Sequence, residues 1–200
     1  MSLIAPPIDP KSLDMRSLDW RMIDWKKFTL IKDHPMRAIF IDKVVVNIGV
    51  GTSGERLAKA AEVLKILTEQ EPSYRKARKS IKEWGVRRGE PIGVVVTLRR
   101  AKAIWFLLKA LSVIDFTLRR SSFDDYGNVS FGIKEHILIP GVKYDPNLGI
   151  WGMDVAVRLV RPGYRVMYRR RCRSKIGNKQ RVTRDEAIEF FEKILSVKII

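Results

Sequence analysis

A run of basic residues late in the chain is the sequence feature best suited to binding chemistry. Between Asp154 and Asp185, eleven arginine and lysine residues occur without one aspartate or glutamate. Such a concentration of like charge repels itself unless a polyanion neutralises it. Phosphate groups are suitable partners, because their neutralisation releases condensed counterions and the planar arginine fork binds them through paired hydrogen bonds. This basic run comprises Arg158, Arg161, Arg165, Arg169, Arg170, Arg171, Arg173, Lys175, Lys179, Arg181 and Arg184.

The basic run therefore predicts a nucleic acid as the partner. The alternative is a solvated basic segment that only keeps the protein soluble. Solubility does not require the exclusion of every acidic residue over such a length, so the first interpretation is favoured.

A second basic segment, residues 74–89, interleaves cations with two aromatic rings, Tyr74 and Trp84. Cations beside rings that stack on bases suit single-stranded or looped RNA better than the groove of a duplex. The alternative is a mobile, solvated loop. The cations of this segment are Arg75, Lys76, Arg78, Lys79, Lys82, Arg87 and Arg88.

The glycine pattern of residues 49–54 matches G-x-G-x-x-G, and Glu69 follows it at the spacing of a dinucleotide-binding motif. An NADP-linked enzyme, with nearby arginines on the extra phosphate, is therefore an alternative function. Asn47 lies in the middle of the preceding strand, where a central parallel strand is apolar on both faces. No series of strand–helix units follows. We expect these glycines to let a backbone or a phosphate approach the strand end and the helix N-terminus.

The sequence offers no further chemistry that would support an active site. His34 and His136 lack a nearby nucleophile and the spacing of metal ligands, and the single cysteine, Cys172, excludes an internal disulfide. We predict no catalytic residues, no metal and no cofactor. A non-specific DNA-compacting protein is a third interpretation of the net charge of +17.

Composition indicates one globular domain with an N-terminal extension. The chain is 46% hydrophobic and 30% charged, and its longest apolar run, residues 103–114, is interrupted by Lys109 and too short to cross a membrane. No secretory signal is visible, so a cytoplasmic protein without a membrane partner is expected. We assign residues 1–33 to the extension and residues 34–200 to the domain.

The elements that position these residues follow from hydrophobic periodicity. Alternation predicts strands over 43–50, 91–98, 129–133 and 152–160. Helical stripes predict helices over 54–67, 101–114 and 184–195, with Ser53 as the cap of the first and a capping box beginning at Thr183 for the last. We therefore expect an α+β fold, with a mostly antiparallel sheet that carries helices on one face. The other face, with Asn47 and Thr97, would be free for RNA.

The extension contains a loose repeat, in which LDWR at 18–21 is followed by IDWK at 23–26. Leu18, Met22 and Trp25 have helical spacing and suggest a short amphipathic helix. We expect this segment to dock on the protein's own core rather than on a partner.

A series of short motifs then runs in order along residues 34 to 198. They are HPMR (34–37), KVVVNIGVG (43–51), GERL (54–57), KAR (76–78), GVRRG (85–89), PIG (91–93), TLR (97–99), FDDYGN (123–128), FGIKE (131–135) and GMD (152–154). In these motifs the chain resembles the large-subunit ribosomal protein family that binds 5S rRNA, numbered five in bacteria and eleven in eukaryotes. Arg161-Pro162-Gly163 and the basic segment after it resemble the archaeal and eukaryotic branch, which suggests an archaeal source.

The resemblance implies a structural protein of the central protuberance of the ribosome. The free sheet face would meet 5S rRNA, and residues 74–89, with the seven cations named above, would reach the elbow of the P-site tRNA. Other surfaces would touch the large-subunit rRNA, neighbouring ribosomal proteins and a head protein of the small subunit. The residues expected to bind rRNA are Asn47, Gly49, Gly51, Gln70, Thr97, Arg99, Arg169, Arg170, Arg171, Arg173, Lys175 and Lys179.

The chain departs from the family pattern in two places. Glu69 stands where the family commonly has glycine before Gln70, so the end of the first helix is expected to be built differently. Residues 1–33 lie outside the resemblance.

Overall fold

The structure, a computed structural model, describes residues 14–31 and 34–200. In this part of the chain, three α-helices and eight β-strands alternate with short 3-10 turns. The helices are α1 (Glu55–Thr68), α2 (Arg100–Val113) and α3 (Arg184–Leu195). The strands are β1 (Thr29–Leu30), β2 (Ile39–Gly49), β3 (Ser73–Lys76), β4 (Pro91–Leu98), β5 (Thr117–Leu118), β6 (Asn128–Ile133), β7 (Met153–Val160) and β8 (Lys198–Ile199).

The main sheet has the strand order β3-β4-β2-β7-β6, with β1 paired to the start of β2. Every pairing in it is antiparallel, while β5 and β8 form a separate two-stranded parallel pair. The predicted α+β class with a mostly antiparallel sheet is therefore confirmed. The long strand β2 is central, which places Asn47 between Val95 of β4 and Asp154 of β7.

Alternation in the strands gives the sheet one apolar face, which the helices cover. Val44, Val46 and Ile48 of β2 are buried, and so are alternate residues of β7 and a continuous stretch of β4, residues 93–96. Helix α1 packs on β4, α2 on β2, and α3 on β1 and β6. The predicted capping box of α3 is present, with Glu186 bonded back to Thr183. We call the opposite side of the sheet, turned away from α1 and α2, the open face.

The turn between β2 and α1 does not build a dinucleotide-binding unit. Both neighbours of β2 run antiparallel to it, and β3, which follows α1, is separated from β2 by β4. Glu69 is the C-cap of α1 rather than the end of a second strand. The expected cap by Ser53 is wrong, because Gly54 occupies the N-cap and the Ser53 hydroxyl donates to the Glu90 carboxylate instead.

The N-terminal segment, residues 14–31, forms two 3-10 turns instead of the expected amphipathic helix. Asp19 and Asp24 each accept a hydrogen bond from the amide two residues ahead, so each repeat closes its own turn. Met22 is 89% exposed, which contradicts the proposed helical stripe. The expected docking on the protein itself is observed in this segment, since the Trp105 indole N–H donates to the Leu18 carbonyl at 2.7 Å.

Candidate nucleic-acid interface

The open face is lined mainly by small and uncharged polar side chains, with the exposed carboxylate of Asp154 beside Asn47. Asn47 and Thr97 lie on it, both half-buried, as the strand alternation predicted. Cross-strand register extends the face through Ser130 and Ala156, which are exposed on β6 and β7. Amides, hydroxyls and bare backbone let an RNA strand come close and offer hydrogen bonds without adding charge.

Gln70 lies beside this face and reaches it. Its side-chain amide donates to the Thr97 carbonyl at 3.3 Å, which brings two of the predicted rRNA-binding residues together. Whether the end of α1 differs from that of the family stays a prediction. Glu69 adopts the left-handed conformation (φ 50°) that glycine favours at a helix C-cap.

The N-terminal segment and α2 both contact Glu69. The Trp20 indole N–H donates to the Glu69 carboxylate at 2.9 Å, and the Lys102 ammonium donates to the Glu69 carbonyl at 3.1 Å. The same ammonium lies 4.7 Å from the centre of the Trp20 ring. The carboxylate therefore ties the segment to the helix end that carries Gln70.

The glycine turn, residues 49–54, is exposed at the edge of the open face. No atom lies within 4 Å of where a Cβ would stand on Gly49 or Gly51, and Gly51 has φ of +80°. The amides of Val50 and Gly51 both donate to the Ile92 carbonyl, at 3.0 and 2.9 Å. The turn thus has open space for a phosphate. The amides of Val50 and Gly51 cannot bind it, because both already donate to Ile92.

Residues 73–90, here called the basic hairpin, are folded rather than irregular. Ile81 and Val86 exchange backbone hydrogen bonds, and the buried side chain of Ala77 lies inside the hairpin. The Glu90 carboxylate accepts hydrogen bonds from Ser53 and from the Arg87 amide, and these two bonds lower its pKa. It therefore stays ionised and fixes the hairpin to the glycine turn.

All seven cations predicted in this segment are exposed, as is 72% of Trp84. Among the described residues, none of the seven forms an ion pair with a carboxylate. Beneath Trp84 and Ile81 lies an apolar cavity of about 520 Å³. The hairpin thus presents free charge and a stackable ring on a rigid support.

The basic run divides into structural and solvent-facing cations. Arg161 is buried against Glu186, and Arg184 donates to the Arg120 carbonyl, so these two hold the fold together. Arg99, at the end of β4, pairs with Asp42 at 3.0 Å while 59% of its side chain stays exposed. The run's predicted rRNA-binding residues are all exposed, namely Arg169, Arg170, Arg171, Arg173, Lys175 and Lys179.

Some residues of the open face were not singled out from the sequence. In the strand register, Lys43 of β2 lies opposite Arg158 of β7, and Arg158 lies opposite Asn128 of β6. These three residues form a polar row across one end of the face. Lys43 and Asn128 had no role assigned from the sequence. Outward alternation in β2 and β6 was the signal that would have identified them.

Neither histidine is placed for catalysis. His136 is buried, its Nδ1 accepts from the Trp151 amide at 3.2 Å, and burial lowers its pKa. His34 is exposed and accepts from the Met36 amide.

Residues 14–31 and 34–200 contain no group of three metal-ligating side chains. Nor does the described part of the chain contain a helix long and apolar enough to span a membrane.

Comparison with known proteins identifies the family. The family model "Ribosomal protein L5" matches residues 34–87, and the model of the C-terminus of the same ribosomal family matches residues 91–190. The large ribosomal subunit protein uL5 of Pyrobaculum aerophilum is 63% identical over 174 residues, covering 87% of this chain and 97% of that protein. The uL5 protein of Caldivirga maquilingensis is 60% identical over 195 residues, 98% of each chain. That of Nanoarchaeum equitans is 52% identical over 169 residues, 84% of this chain and 99% of that protein.

These matches confirm three predictions from the sequence. The relatives are archaeal, as the segment around Arg161 suggested. They carry the names of ribosomal proteins, which confirms a structural rather than an enzymatic protein and a cytoplasmic, ribosomal location. Two family models and relatives of this similarity over nearly the whole length lead to one conclusion: the chain belongs to the ribosomal protein L5 family.

Proposed function

We propose that this protein is a structural component of the large ribosomal subunit that joins 5S rRNA to the large-subunit rRNA and reaches the P-site tRNA. One observation carries the proposal. Asn47 and Thr97 lie on the open face, Gln70 bonds to the Thr97 carbonyl, and solvent-facing cations follow at Arg99 and in the basic hairpin.

The open face is the proposed 5S rRNA surface. A carboxamide both donates and accepts hydrogen bonds, so Asn47 and Gln70 suit the sugar hydroxyls and base edges of a folded RNA. Arg99 and the exposed glycines at 49 and 51 border the face, where a phosphate backbone passes closely. The amides and hydroxyls of the face would read the shape of the RNA, and the cationic border would supply affinity.

The basic hairpin is the proposed tRNA contact. Glu90 and the Ile81–Val86 pairing make it rigid, and its cations point into solvent without carboxylate partners among the described residues. A rigid cationic loop with an exposed ring suits the tightly folded elbow of a tRNA.

The basic run is the proposed contact with the large-subunit rRNA. Neighbouring ribosomal proteins and a head protein of the small subunit complete the proposed set of partners.

We further propose that residues 1–33 are an extension that stabilises the domain of residues 34–200. The bond of Trp105 to Leu18 and that of Trp20 to Glu69 support this division of roles.

A pair of substitutions tests the roles of the two surfaces. Asn47→Ala removes neutral hydrogen bonds, so 5S rRNA binding should weaken about five- to ten-fold, at an unchanged salt slope. Arg78→Ala removes an exposed cation of the hairpin, so 5S rRNA binding should be spared and tRNA binding impaired. Filter binding at several salt concentrations measures both.

Asn147→Ala, an exposed asparagine outside the sheet, is the control and should bind 5S rRNA normally. Competition with unrelated RNA and duplex DNA separates this function from non-specific compaction. Equal effects of the Asn47 and Arg78 variants on affinity and slope would refute the assignment of roles.

A further inference from the structure

A second concave site lies at the end of the open face where β6 begins. It has a volume of about 410 Å³, within the range of roughly 300–1,000 Å³ typical of small-molecule sites. Leu159 and Met167 form an apolar part of its lining, and the rest is polar or aromatic. We call it the tyrosine–arginine cleft; its lining residues are Tyr126, Asn128, Arg158, Leu159, Tyr164, Met167 and Arg181.

Two arginines of the cleft are held against aromatic rings. The Arg181 guanidinium lies 5.6 Å from the centre of the Tyr126 ring, and that of Arg158 lies 5.1 Å from the Tyr168 ring. Arg158 also donates to the Tyr168 hydroxyl at 3.0 Å. Stacking restrains the guanidinium planes, so these arginines are prepared to bind a ligand with little further loss of side-chain entropy.

The charge of the cleft favours an anion. Its lining contains two arginines and no carboxylate. The adjoining turn holds two acids, neither of them in the lining: Asp124 accepts from the amides of Tyr126 and Asn128 and from the Asn128 side chain, and Asp125 is exposed. On the other side of the cleft, burial and the nearby Asp42 carboxylate raise the pKa of Tyr168. Asp42 is itself paired with Arg99, which balances its charge.

A neighbouring cavity of about 360 Å³ continues the site along the basic run. It shares Met167 and Arg181 with the cleft and adds Arg173, Ser174 and Lys175. The cleft has room for a base beside Tyr126 and for phosphates at its two arginines, and the neighbouring cavity extends this cationic lining.

From this arrangement we propose that the tyrosine–arginine cleft binds one unpaired nucleotide of RNA. The exposed Tyr126 ring would stack on the base, and Arg158 and Arg181 would bind the flanking phosphates. A duplex keeps its bases stacked inside, where Tyr126 could not reach them, and a bare phosphate would gain nothing from Tyr126 and Met167. The inference rests on the proposed function and extends it, since it names a site and a ligand that the open face does not supply.

Met167 provides a reporter inside the cleft. The full-length protein with ¹³C-labelled methionine methyl groups is titrated with the trinucleotide ApApA, with a twelve-base-pair RNA duplex and with inorganic phosphate. We expect the Met167 signal to shift saturably with ApApA and to stay in place with the other two. The Met22 signal, from an exposed methionine of the N-terminal segment that is not among the lining residues, is the internal control.

Matched substitutions then test the two contacts. Tyr126→Leu should weaken ApApA about ten-fold, an amount within the contribution of one base–aromatic stack. Tyr144→Leu, which removes a similarly exposed ring elsewhere, should have no effect. Arg181→Lys keeps the charge but loses the planar fork, so it should weaken ApApA more than Arg165→Lys does. Unchanged thermal midpoints would show that the variants fold.

Two outcomes would overturn the inference. In the first, phosphate or duplex shifts Met167 as strongly as ApApA does, which would make the cleft a general anion patch. In the second, Tyr126→Leu binds ApApA like the unmodified protein. The loss of 5S rRNA binding in Asn47→Ala is measured separately. If that loss persists while the cleft variants behave normally, the nucleotide site alone is refuted and the proposed function stands.

Discussion

At the scale of single residues, charge alone did not reveal which arginines are free to bind RNA. Arg161 belongs to the same basic run as Arg169 and Arg173, yet its side chain is 5% exposed and its partner is Glu186. A charge this deeply buried is retained only with a partner, because leaving water is costly. The basic run thus includes a structural arginine that fastens the segment to the start of α3.

The ion pair between Arg161 and Glu186 should contribute measurably to stability. Glu186→Gln keeps the capping hydrogen bond to Thr183 but leaves the buried Arg161 charge unpaired. We expect the free energy of unfolding to fall by about 3 kcal/mol, as when one partner of a buried pair is removed. Chemical denaturation monitored by circular dichroism measures this.

Glu55→Gln serves as the matched control for Glu186→Gln. Glu55 pairs with Lys59 at 2.9 Å on the exposed side of α1, where water screens the interaction. Its replacement should lower the free energy of unfolding by less than about 1 kcal/mol, because the pair is exposed and only the charge at the start of the helix is lost. A similar loss in both variants would argue that Arg161 is not held by a buried ion pair.

At the scale of elements, the N-terminal segment packs on α2 and on the end of α1, on the side of the sheet that the helices cover. Its repeats do not form a helix, because each aspartate bonds to the backbone two residues ahead and closes a short turn. The turns present Trp20 to Glu69 and the Leu18 carbonyl to Trp105. Glu69, whose position resembles a glycine position of the family, therefore anchors this segment through its carboxylate.

Trp20→Phe tests that anchor. The variant keeps most of the ring packing but loses the indole hydrogen bond to the Glu69 carboxylate, so unfolding should require about 1 kcal/mol less. Thermal unfolding followed by calorimetry is the measurement. Trp84→Phe, at a ring that is 72% exposed, should leave stability unchanged. Identical midpoints for Trp20→Phe and the unmodified protein would show that the anchor contributes nothing.

At the scale of the whole molecule, the net charge of +17 is spread over three solvent-facing regions. The basic hairpin, the border of the open face and the exposed part of the basic run each carry cations. Helices cover the opposite side of the sheet. Charge arranged in this way lets one small protein contact several RNA segments at once, which suits a joining role.

The salt dependence of 5S rRNA binding tests this distribution of charge. If about six or more phosphates are neutralised, affinity should fall about a thousand-fold or more between roughly 50 and 200 mM salt. Filter binding over that range gives the slope directly. A flat response would contradict a phosphate-based interface, whatever the affinity at low salt.

The sequence by itself determined the faces of the strands and helices, the capping box of α3 and the family. These depend on local periodicity and on residues close together in the chain, as with the alternation that set Asn47 opposite to Val46 and Ile48. The outward positions of Asn47 and Thr97 needed no tertiary information. The same holds for the exclusion of Glu69 from a second strand.

Only the tertiary structure decided which of these residues meet. Trp20 reaches Glu69 across 49 positions, Arg161 reaches Glu186 across 25, and the Tyr126 ring lies over Arg181. Such pairs follow from how the elements pack, and no spacing of residues in the sequence predicts them. The burial of individual arginines also depends on tertiary packing. Whether a cation faces solvent or a carboxylate depends on what the folded chain places beside it.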